Sequence, residues 1–191
     1  MEISVPAPPS FSFRRTAASH GWSELAPFSI DETWTTIRRV VDFGPERDPV
    51  AVEITEGDGA LRVKVAGRIS KRHAERVARD VRHVFRLDDD LEDFYTTLAH
   101  AAGFEWIAGA GAGRLLRSPT VFEDLVKTIC TTNCSWSLTK TMTTRLVDNL
   151  GRPARGGGRS FPTPQAMAEA PASFYRDEMR SGYRAPYFKE L

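Results

Sequence analysis

The hydrophobic pattern of the chain changes period part-way along, and this change limits the folds open to it. Residues 50–56 (VAVEITE) and 61–66 (LRVKVA) alternate apolar and polar positions, with the segment GDG at 57–59 between them. Such alternation is typical of strands with one covered face, and glycine tolerates the positive φ of a hairpin turn. Residues 33–43 (TWTTIRRVVDF) predict a further strand. Because no helix separates these segments, the pattern favours an antiparallel sheet over a doubly wound parallel one.

From residue 70 onward the apolar residues follow helical spacing. One helix is predicted after Ser70 and another after Asp88, and we interpret their apolar stripes as core. Ser118-Pro119 predicts the start of a third helix, because it combines a capping hydroxyl with a proline in the first turn. A fourth is predicted from near Ser135 to Gly151, a residue type that often ends helices. Two short helices are predicted to begin at 163–164 (TP) and at 171.

Two glycine-rich segments read as loops. GAGAG at 109–113 follows no strand of a βαβ unit and lacks a P-loop lysine, so it does not indicate a nucleotide site. We interpret it as a flexible connector, and RPARGGGR at 152–159 as a mobile basic loop.

Composition narrows the class of protein. Apolar side chains make up 41% of the chain and charged ones 27%, as in folded domains. No apolar run approaches the roughly 20 residues that cross a bilayer, so we expect no membrane partner. The N-terminus lacks the pattern of a secretory signal. With two cysteines in 191 residues there is no disulfide framework, and we expect a reducing compartment.

Charge is distributed unevenly along the chain. Residues 1–113 hold 14 basic and 18 acidic side chains, whereas residues 114–191 hold 12 and 7. The basic second part is compatible with an anionic partner and equally with a solvated basic surface.

The polar stretch ICTTNCSW at 129–136 lies between two of the predicted helices. Cys130 and Cys134 are four residues apart, but no further metal-ligating residue lies near them, and a zinc site needs about four. A nucleophilic thiol would need a base and an orienting group, for which the sequence offers no candidate. We therefore expect no metal and no cofactor, and we expect Cys130 to pack as a small buried residue.

This polar turn, the basic loop and Gly182-Tyr183-Arg184 are compatible with a nucleic-acid surface. An arginine next to an aromatic residue can stack on a base and donate hydrogen bonds to it. A plain turn in a helical interaction domain remains an alternative at this point.

Four motifs in order resemble the helix–hairpin–helix DNA glycosylase superfamily, most of all its 8-oxoguanine and 3-methyladenine branches. They are VRHVFRLDDDLEDFYT (81–96), RLLRSPTVFEDLVKTICTTNCSWSLTKTMTTRLVDNLG (114–151), FPTPQAMAEA (161–170) and GYRAPY (182–187). The resemblance runs from about residue 81 to the end of the chain. It implies base-excision repair, in which a damaged purine is flipped out of duplex DNA and its N-glycosidic bond is cut.

The resemblance also implies roles for individual residues. Asn133 matches the wedge that fills the gap left by the flipped base in the 8-oxoguanine branch. Tyr183 and Arg184 match the pair that contacts the unpaired partner base. The chain departs from that branch at Cys134-Ser135-Trp136, where further asparagines are expected, and at Leu138, where a basic residue helps to read the partner base.

The family's hairpin, catalytic aspartate and Schiff-base lysine follow the GYRA motif and have no match here, nor has the four-cysteine iron–sulfur cluster of some relatives. We therefore expect a fragment of a longer glycosylase, with no catalytic residue of its own and no activity alone. The predicted fold class is α+β. Residues 1–113 form an N-terminal antiparallel sheet domain with helices and a connector, and residues 114–191 form the first part of an all-helical domain.

The expected partner is double-stranded DNA with a damaged base, bound by a monomer in the cytoplasm, or on the nucleoid if the protein is bacterial. A non-catalytic nucleic-acid-binding module on the same scaffold is the alternative.

Overall fold

The computed structural model describes all 191 residues of the chain. Its strands are β1 (Glu2–Pro6), β2 (Ser29–Ile30), β3 (Thr36–Val41), β4 (Val50–Gly57) and β5 (Ala60–Val65). Its helices are α1 (Phe13–Ala17), α2 (Lys71–Val84), α3 (Glu92–Ala99), α4 (Trp106–Gly109), α5 (Val121–Thr131), α6 (Trp136–Leu150), α7 (Pro164–Glu169) and α8 (Tyr187–Glu190). Shorter helical turns cover Trp22–Glu24, Phe174–Glu178 and Gly182–Arg184. None of the helices is long and apolar enough to cross a membrane.

The strands form one antiparallel sheet in the order β1-β5-β4-β3-β2. β4 and β5 follow each other directly, and Gly59 in the turn between them has a φ of +65°. β1 pairs with the outer side of β5, with Val5 opposite Leu61. The predicted strands and hairpin are therefore confirmed, and so is the α+β class.

The chain forms two compact units, each built from separate stretches of sequence. The first contains residues 1–23, 30–37 and 53–119, and the second contains residues 24–29, 38–52 and 120–191. This partition does not test whether residues 1–113 and 114–191 are domains that fold on their own. That division stays a prediction.

In the first unit, α2 covers the core as its apolar stripe predicted. The Ser70 hydroxyl caps the helix by accepting a hydrogen bond from the amide of His73 at 3.3 Å. Val77, Val81 and Val84 are buried. Immediately after the helix, the Phe85 ring stacks on Phe13 with 5.3 Å between ring centroids.

The second apolar stripe of this unit does not form core, which corrects the prediction. No residue of α3 is buried, and the Phe94 side chain is 41% exposed. The helix packs on α4, which is only one turn long and leaves much of the apolar side of α3 uncovered.

The GAGAG segment is packed against its surroundings, so its interpretation as a flexible connector was wrong. Gly111 has a φ of +61°, and a Cβ atom there would lie 2.5 Å from the carbonyl oxygen of Ser10. A Cβ atom on Gly113 would lie 2.7 Å from the ring of Phe94. The glycines permit close approach of neighbouring groups rather than flexibility.

The second unit is built on α5 and α6. The cap of α5 is Thr120, whose hydroxyl accepts from the amide of Glu123 at 3.2 Å, so the helix begins two residues later than Ser118-Pro119 predicted. The start of α6 after Ser135 is confirmed. The core between and below these helices consists of Val126, Cys130, Met142, Leu146, Met167, Ala170, Phe174, Tyr175, Met179 and Phe188.

The segment after α6 is anchored, which corrects its interpretation as a mobile loop. The guanidinium of Arg152 donates to the Asp42 carboxylate at 2.7 Å and to the carbonyls of Gly44 and Arg47 at 2.7 and 2.8 Å. Gly151 ends α6 as predicted but has a φ of −75°, not the left-handed conformation. Glycine is needed there because a Cβ atom would collide with the carbonyl oxygen of Ser160.

Candidate functional site

The turn between α5 and α6 is compact and polar. α5 ends at Thr131, and Asn133 adopts a φ of +45°, a left-handed conformation that asparagine tolerates better than most residues. The Ser135 hydroxyl then caps α6 by accepting from the amide of Leu138 at 3.3 Å. One left-handed residue between two capped helices reverses the chain direction and leaves the Asn133 side chain exposed.

The two cysteines stabilise this turn. Cys130 is fully buried, as predicted, and burial raises the pKa of its thiol to about 12. The Cys134 thiol donates to the carbonyl oxygen of Cys130 at 3.1 Å, and the Thr139 hydroxyl donates to the same oxygen at 3.1 Å. These bonds satisfy a carbonyl at the end of α5 that has no partner within its own helix. Nowhere in the chain do three His, Cys, Asp or Glu side chains come close enough together to hold a metal ion.

The second predicted segment is the helical turn Gly182–Arg184. Gly182 has a φ of +60°, a left-handed conformation that glycine adopts readily. The Tyr183 side chain is 54% exposed, whereas Arg184 is only 4% exposed. The guanidinium carbon of Arg184 lies 4.5 Å from the centroid of the Tyr183 ring, so the aromatic ring covers the cation.

A chain of hydrogen bonds joins the two segments. The Asn133 amide nitrogen donates to the Tyr183 hydroxyl at 3.3 Å, and that hydroxyl donates to Oγ1 of Thr132 at 3.2 Å. The Thr132 hydroxyl donates in turn to the carbonyl oxygen of Ile129 at 2.8 Å. Nε of Arg184 also donates to Oγ1 of Thr132, at 3.0 Å. Asn133, Tyr183 and Arg184, which were singled out from two separate motifs, thus lie close together in the structure. Their roles in DNA binding stay predictions.

Electrostatics reflects this arrangement. The hydrogen bonds of the Tyr183 phenol with Thr132 and Asn133 lower its pKa below the usual tyrosine value. Nη1 of Arg184 donates to the carbonyl oxygen of Ser181 at 3.3 Å, but Nη2 is buried without a hydrogen-bond partner. A buried donor without an acceptor costs stability. Nη2 of Arg184 is therefore free to donate a hydrogen bond to a further partner.

Thr132 is the residue that motif comparison missed. Its type is common in turns, and its position is marked only by the neighbouring Asn133. Its central place follows from contacts with Tyr183 and Arg184, which lie about fifty residues further along the chain.

Three charged side chains in the same unit are buried, a feature that composition did not indicate. Nζ of Lys127 donates to Oε1 of Glu123 at 2.7 Å, and Nη2 of Arg39 lies 3.4 Å from Oε2. Lys127 is 0%, Glu123 2% and Arg39 7% exposed. Both cations lie over the ring of Phe28, at 4.7 Å for Lys127 and 4.5 Å for Arg39.

The pKa shifts in this cluster show which charge is better compensated. Burial alone would raise the pKa of Glu123, but the adjacent charges of Lys127 and Arg39 outweigh it and lower the pKa overall. Burial lowers the pKa of Lys127, and the attraction of Glu123 offsets it only in part. The charge of Glu123 is therefore compensated by two cations, whereas Lys127 and Arg39 share this one carboxylate.

The structure of the chain is similar to solved structures of DNA glycosylases. The 3-methyladenine DNA glycosylase of Archaeoglobus fulgidus superposes with a TM-score of 0.72 at 18% identity, over all of this chain and 65% of its own length. The Clostridium acetobutylicum 8-oxoguanine glycosylase/lyase, bound to duplex DNA with cytosine opposite 8-oxoguanine, gives a TM-score of 0.69 at 16% identity. That match covers 99% of this chain and 62% of the other.

The chain has a DNA glycosylase fold over the part of those proteins that it covers. The resemblance indicated by the four motifs is confirmed at this level.

A sequence relative points the same way. A probable N-glycosylase/DNA lyase of Methanothermobacter thermautotrophicus is 25% identical over 163 residues, which cover 74% of this chain and 51% of the relative. The chain thus spans about half the length of that protein. No protein-family model matches the sequence.

Proposed function

We propose that the chain is the lesion-exposing part of a DNA glycosylase of base-excision repair, which binds duplex DNA at a damaged purine and extrudes the damaged nucleotide. The observation that carries the proposal is the cluster of Asn133, Tyr183 and Arg184, joined through Thr132 on a glycosylase fold. The relatives' names, which specify 8-oxoguanine and 3-methyladenine, support a purine lesion. We expect the protein to act as a monomer in the cytoplasm, or on the nucleoid in a bacterium.

Base flipping explains why a wedge is needed. The glycosidic carbon cannot be reached inside the base stack, so the nucleotide has to leave it, and the gap costs stacking energy until a side chain fills it. Asn133 is suited to this role because it is exposed at the apex of a tight turn between two helices. Its amide offers both a donor and an acceptor to the base left without a partner.

Tyr183 and Arg184 are assigned to that orphaned base. The exposed ring of Tyr183 offers a stacking surface, and such stacking contributes about 1–3 kcal/mol per base. When the Tyr183 ring turns onto that base, with its hydroxyl still bonded to Thr132, the guanidinium beneath the ring becomes accessible. The Nη2 group of Arg184, which has no acceptor in the free protein, can then bond to a base edge.

No residue of this chain is assigned to bond cleavage, so we expect the chain alone to bind without releasing a base. A non-catalytic nucleic-acid-binding module is the second candidate, and the same lack of an assigned catalytic group favours it. The longer relatives offer the discriminating experiment. Fusion of the segment of a relative that this chain does not cover should give base release from a lesion duplex, whereas a module without enzymatic origin would still release none.

The wedge is tested by binding of the 191-residue chain to a duplex with a tetrahydrofuran abasic analogue. This probe presents the gap without requiring the lesion to be known. Asn133→Ala should weaken binding about tenfold, the equivalent of about 1.4 kcal/mol. Asn149→Ala is the matched control, because Asn149 is an exposed asparagine whose side chain bonds only to Arg145 within α6. Equal affinities of the two variants would refute the wedge assignment.

The same assay with different bases opposite the analogue tests Arg184. Arg184→Ala should reduce the differences in affinity among the four opposite bases. A uniform loss for all four would instead indicate a phosphate contact.

A further inference from the structure

We propose that Thr132 is a positioning residue, whose hydroxyl holds the wedge turn and the Tyr183-Arg184 turn in the geometry that DNA binding requires. This inference rests on the proposed function. It concerns a residue that does not itself contact DNA and that acts through its neighbours.

The first argument is the direction of the Thr132 hydroxyl. Its one proton is given to the carbonyl oxygen of Ile129 at 2.8 Å, at the end of α5. That bond fixes the side-chain rotamer and leaves only lone pairs on the other side of the oxygen. Oγ1 can therefore act there only as an acceptor, which is what the phenol of Tyr183 and Nε of Arg184 both need.

The second argument is the number of bonds that converge on this one oxygen. Tyr183 donates to Oγ1 at 3.2 Å and Arg184 donates at 3.0 Å. Because the Tyr183 oxygen also accepts from the amide of Asn133, a run of bonds leads from the wedge through the phenol to the end of α5. Hydrogen bonds in such a chain polarise and strengthen one another.

The third argument is the consequence for Arg184 when the hydroxyl is missing. The guanidinium is 4% exposed, and its Nη2 already lacks a partner. Loss of the Thr132 acceptor would leave Nε without a partner as well, so that only the bond to Ser181 remained. A buried cation with two unsatisfied donors gains by turning outward to water. The Tyr183 ring, which stacks on that guanidinium, would then also change its position.

Fixed geometry of this kind affects binding more than folding. Thr132 and Tyr183 are exposed, so the bond between them contributes little to global stability, and the Arg184 guanidinium avoids most of its desolvation cost by turning outward to water. A free protein that already holds both turns in the bound arrangement, however, loses less conformational entropy when it binds DNA. We therefore expect substitution of Thr132 to lower affinity without lowering the unfolding temperature.

Three variants of the 191-residue chain test the role with the abasic-analogue duplex. Thr132→Val keeps the shape and removes the hydroxyl, and it should bind about five- to tenfold more weakly, as expected for loss of its hydrogen bonds to Tyr183 and Arg184 at the protein surface. Thr132→Ser restores the hydroxyl and should bind within about twofold of the unsubstituted chain. Thr131→Val is the matched control, because the Thr131 hydroxyl bonds only to the Thr128 carbonyl within α5.

The salt dependence of binding separates positioning from direct contact. A positioning residue contributes no phosphate contact, so the slope of log affinity against log salt should stay the same in Thr132→Val. A second readout needs no DNA. The NMR chemical shifts of the Tyr183 ring and of the Arg184 Nε–H group should change in Thr132→Val and stay close to those of the unsubstituted chain in Thr132→Ser.

Each outcome is decisive. If Thr132→Val binds as tightly as Thr131→Val, or if Thr132→Ser binds as weakly as Thr132→Val, the positioning role is overturned. If the unsubstituted chain shows no preference for the abasic duplex over an intact one, the proposed function is overturned, and this role falls with it. Loss of binding in Thr132→Val together with a lowered unfolding temperature would indicate a structural defect and would also overturn the role.

Discussion

The buried cluster of Glu123, Lys127 and Arg39 yields a prediction in which two neutralising substitutions have unequal consequences. Two cations share one carboxylate within an apolar surrounding, so the cluster carries a net positive charge. Glu123→Gln removes the one carboxylate that both cations contact. Lys127→Met removes the surplus cation and leaves Glu123 paired with Arg39 alone.

The magnitudes follow from burial. Removing one partner of a buried ion pair destabilises a protein by about 3–5 kcal/mol, because an uncompensated charge remains in a low dielectric. Glu123→Gln should fall in this range. A methionine at position 127 keeps the volume of the lysine stem and places an apolar thioether near Phe28 and Phe161. We expect Lys127→Met to destabilise the protein by about 1–3 kcal/mol, less than Glu123→Gln, because Oε1 of Glu123 loses its hydrogen bond while Arg39 still compensates the charge.

Equilibrium unfolding in urea, followed by circular dichroism, measures both effects. For a chain of this size, about 2–4 °C of melting temperature corresponds to 1 kcal/mol, so Glu123→Gln should melt at least about 6 °C lower. Lys140→Met is the matched control, since Lys140 pairs with Glu24 at 3.0 Å while remaining 44% exposed, and such pairs contribute about 0–1 kcal/mol. A larger loss from Lys127→Met than from Glu123→Gln would refute the reasoning.

Two further predictions concern the packing of the second unit. Gly151→Ala should lower the free energy of unfolding by about 3 kcal/mol, the upper end for overpacking, because its Cβ would meet the carbonyl oxygens of Val147 and Ser160. Gly109→Ala is the control, because there is open space around Gly109, and it should be neutral or stabilising in thermal unfolding. The raised pKa of Cys130 means that the native state retains a proton which the unfolded chain loses at alkaline pH. Stability should therefore fall by about 1.4 kcal/mol per pH unit above the usual thiol value and towards pH 12, and urea titrations of Cys130→Ala should lack this component.

Local elements were predictable where a single short stretch carries the whole signal. Strand alternation at 50–56 and 61–66 is such a case, and so are the capping serines Ser70 and Ser135. Each of these features depends on neighbours within a few residues, which a linear pattern contains in full. The same holds for Cys130, whose lack of possible ligand partners nearby indicated a packed residue.

Errors arose where the outcome depended on distant neighbours. The stripe of α3 has the spacing of a core helix, but burial requires a large partner surface, and α4 does not provide one. The GAGAG segment and the basic loop have the composition of mobile segments, but Ser10 and Asp42, far away in sequence, pack against or bond to them. The composition of a segment indicates its own conformational freedom, but it does not indicate which distant residues pack against it in the folded chain.

The amino-acid sequence alone predicted the α+β class and the positions of the main helices, and motif resemblance singled out Asn133, Tyr183 and Arg184 as candidate site residues. The tertiary structure shows in addition that Tyr183 and Arg184 both donate to the Thr132 hydroxyl, that Asn133 is linked to it through Tyr183, and that Arg184 lies buried beneath Tyr183. The physical reason is the range of the interactions involved. Helix periodicity and capping act within one or two turns, whereas hydrogen bonds between segments about fifty residues apart exist only after the chain has packed.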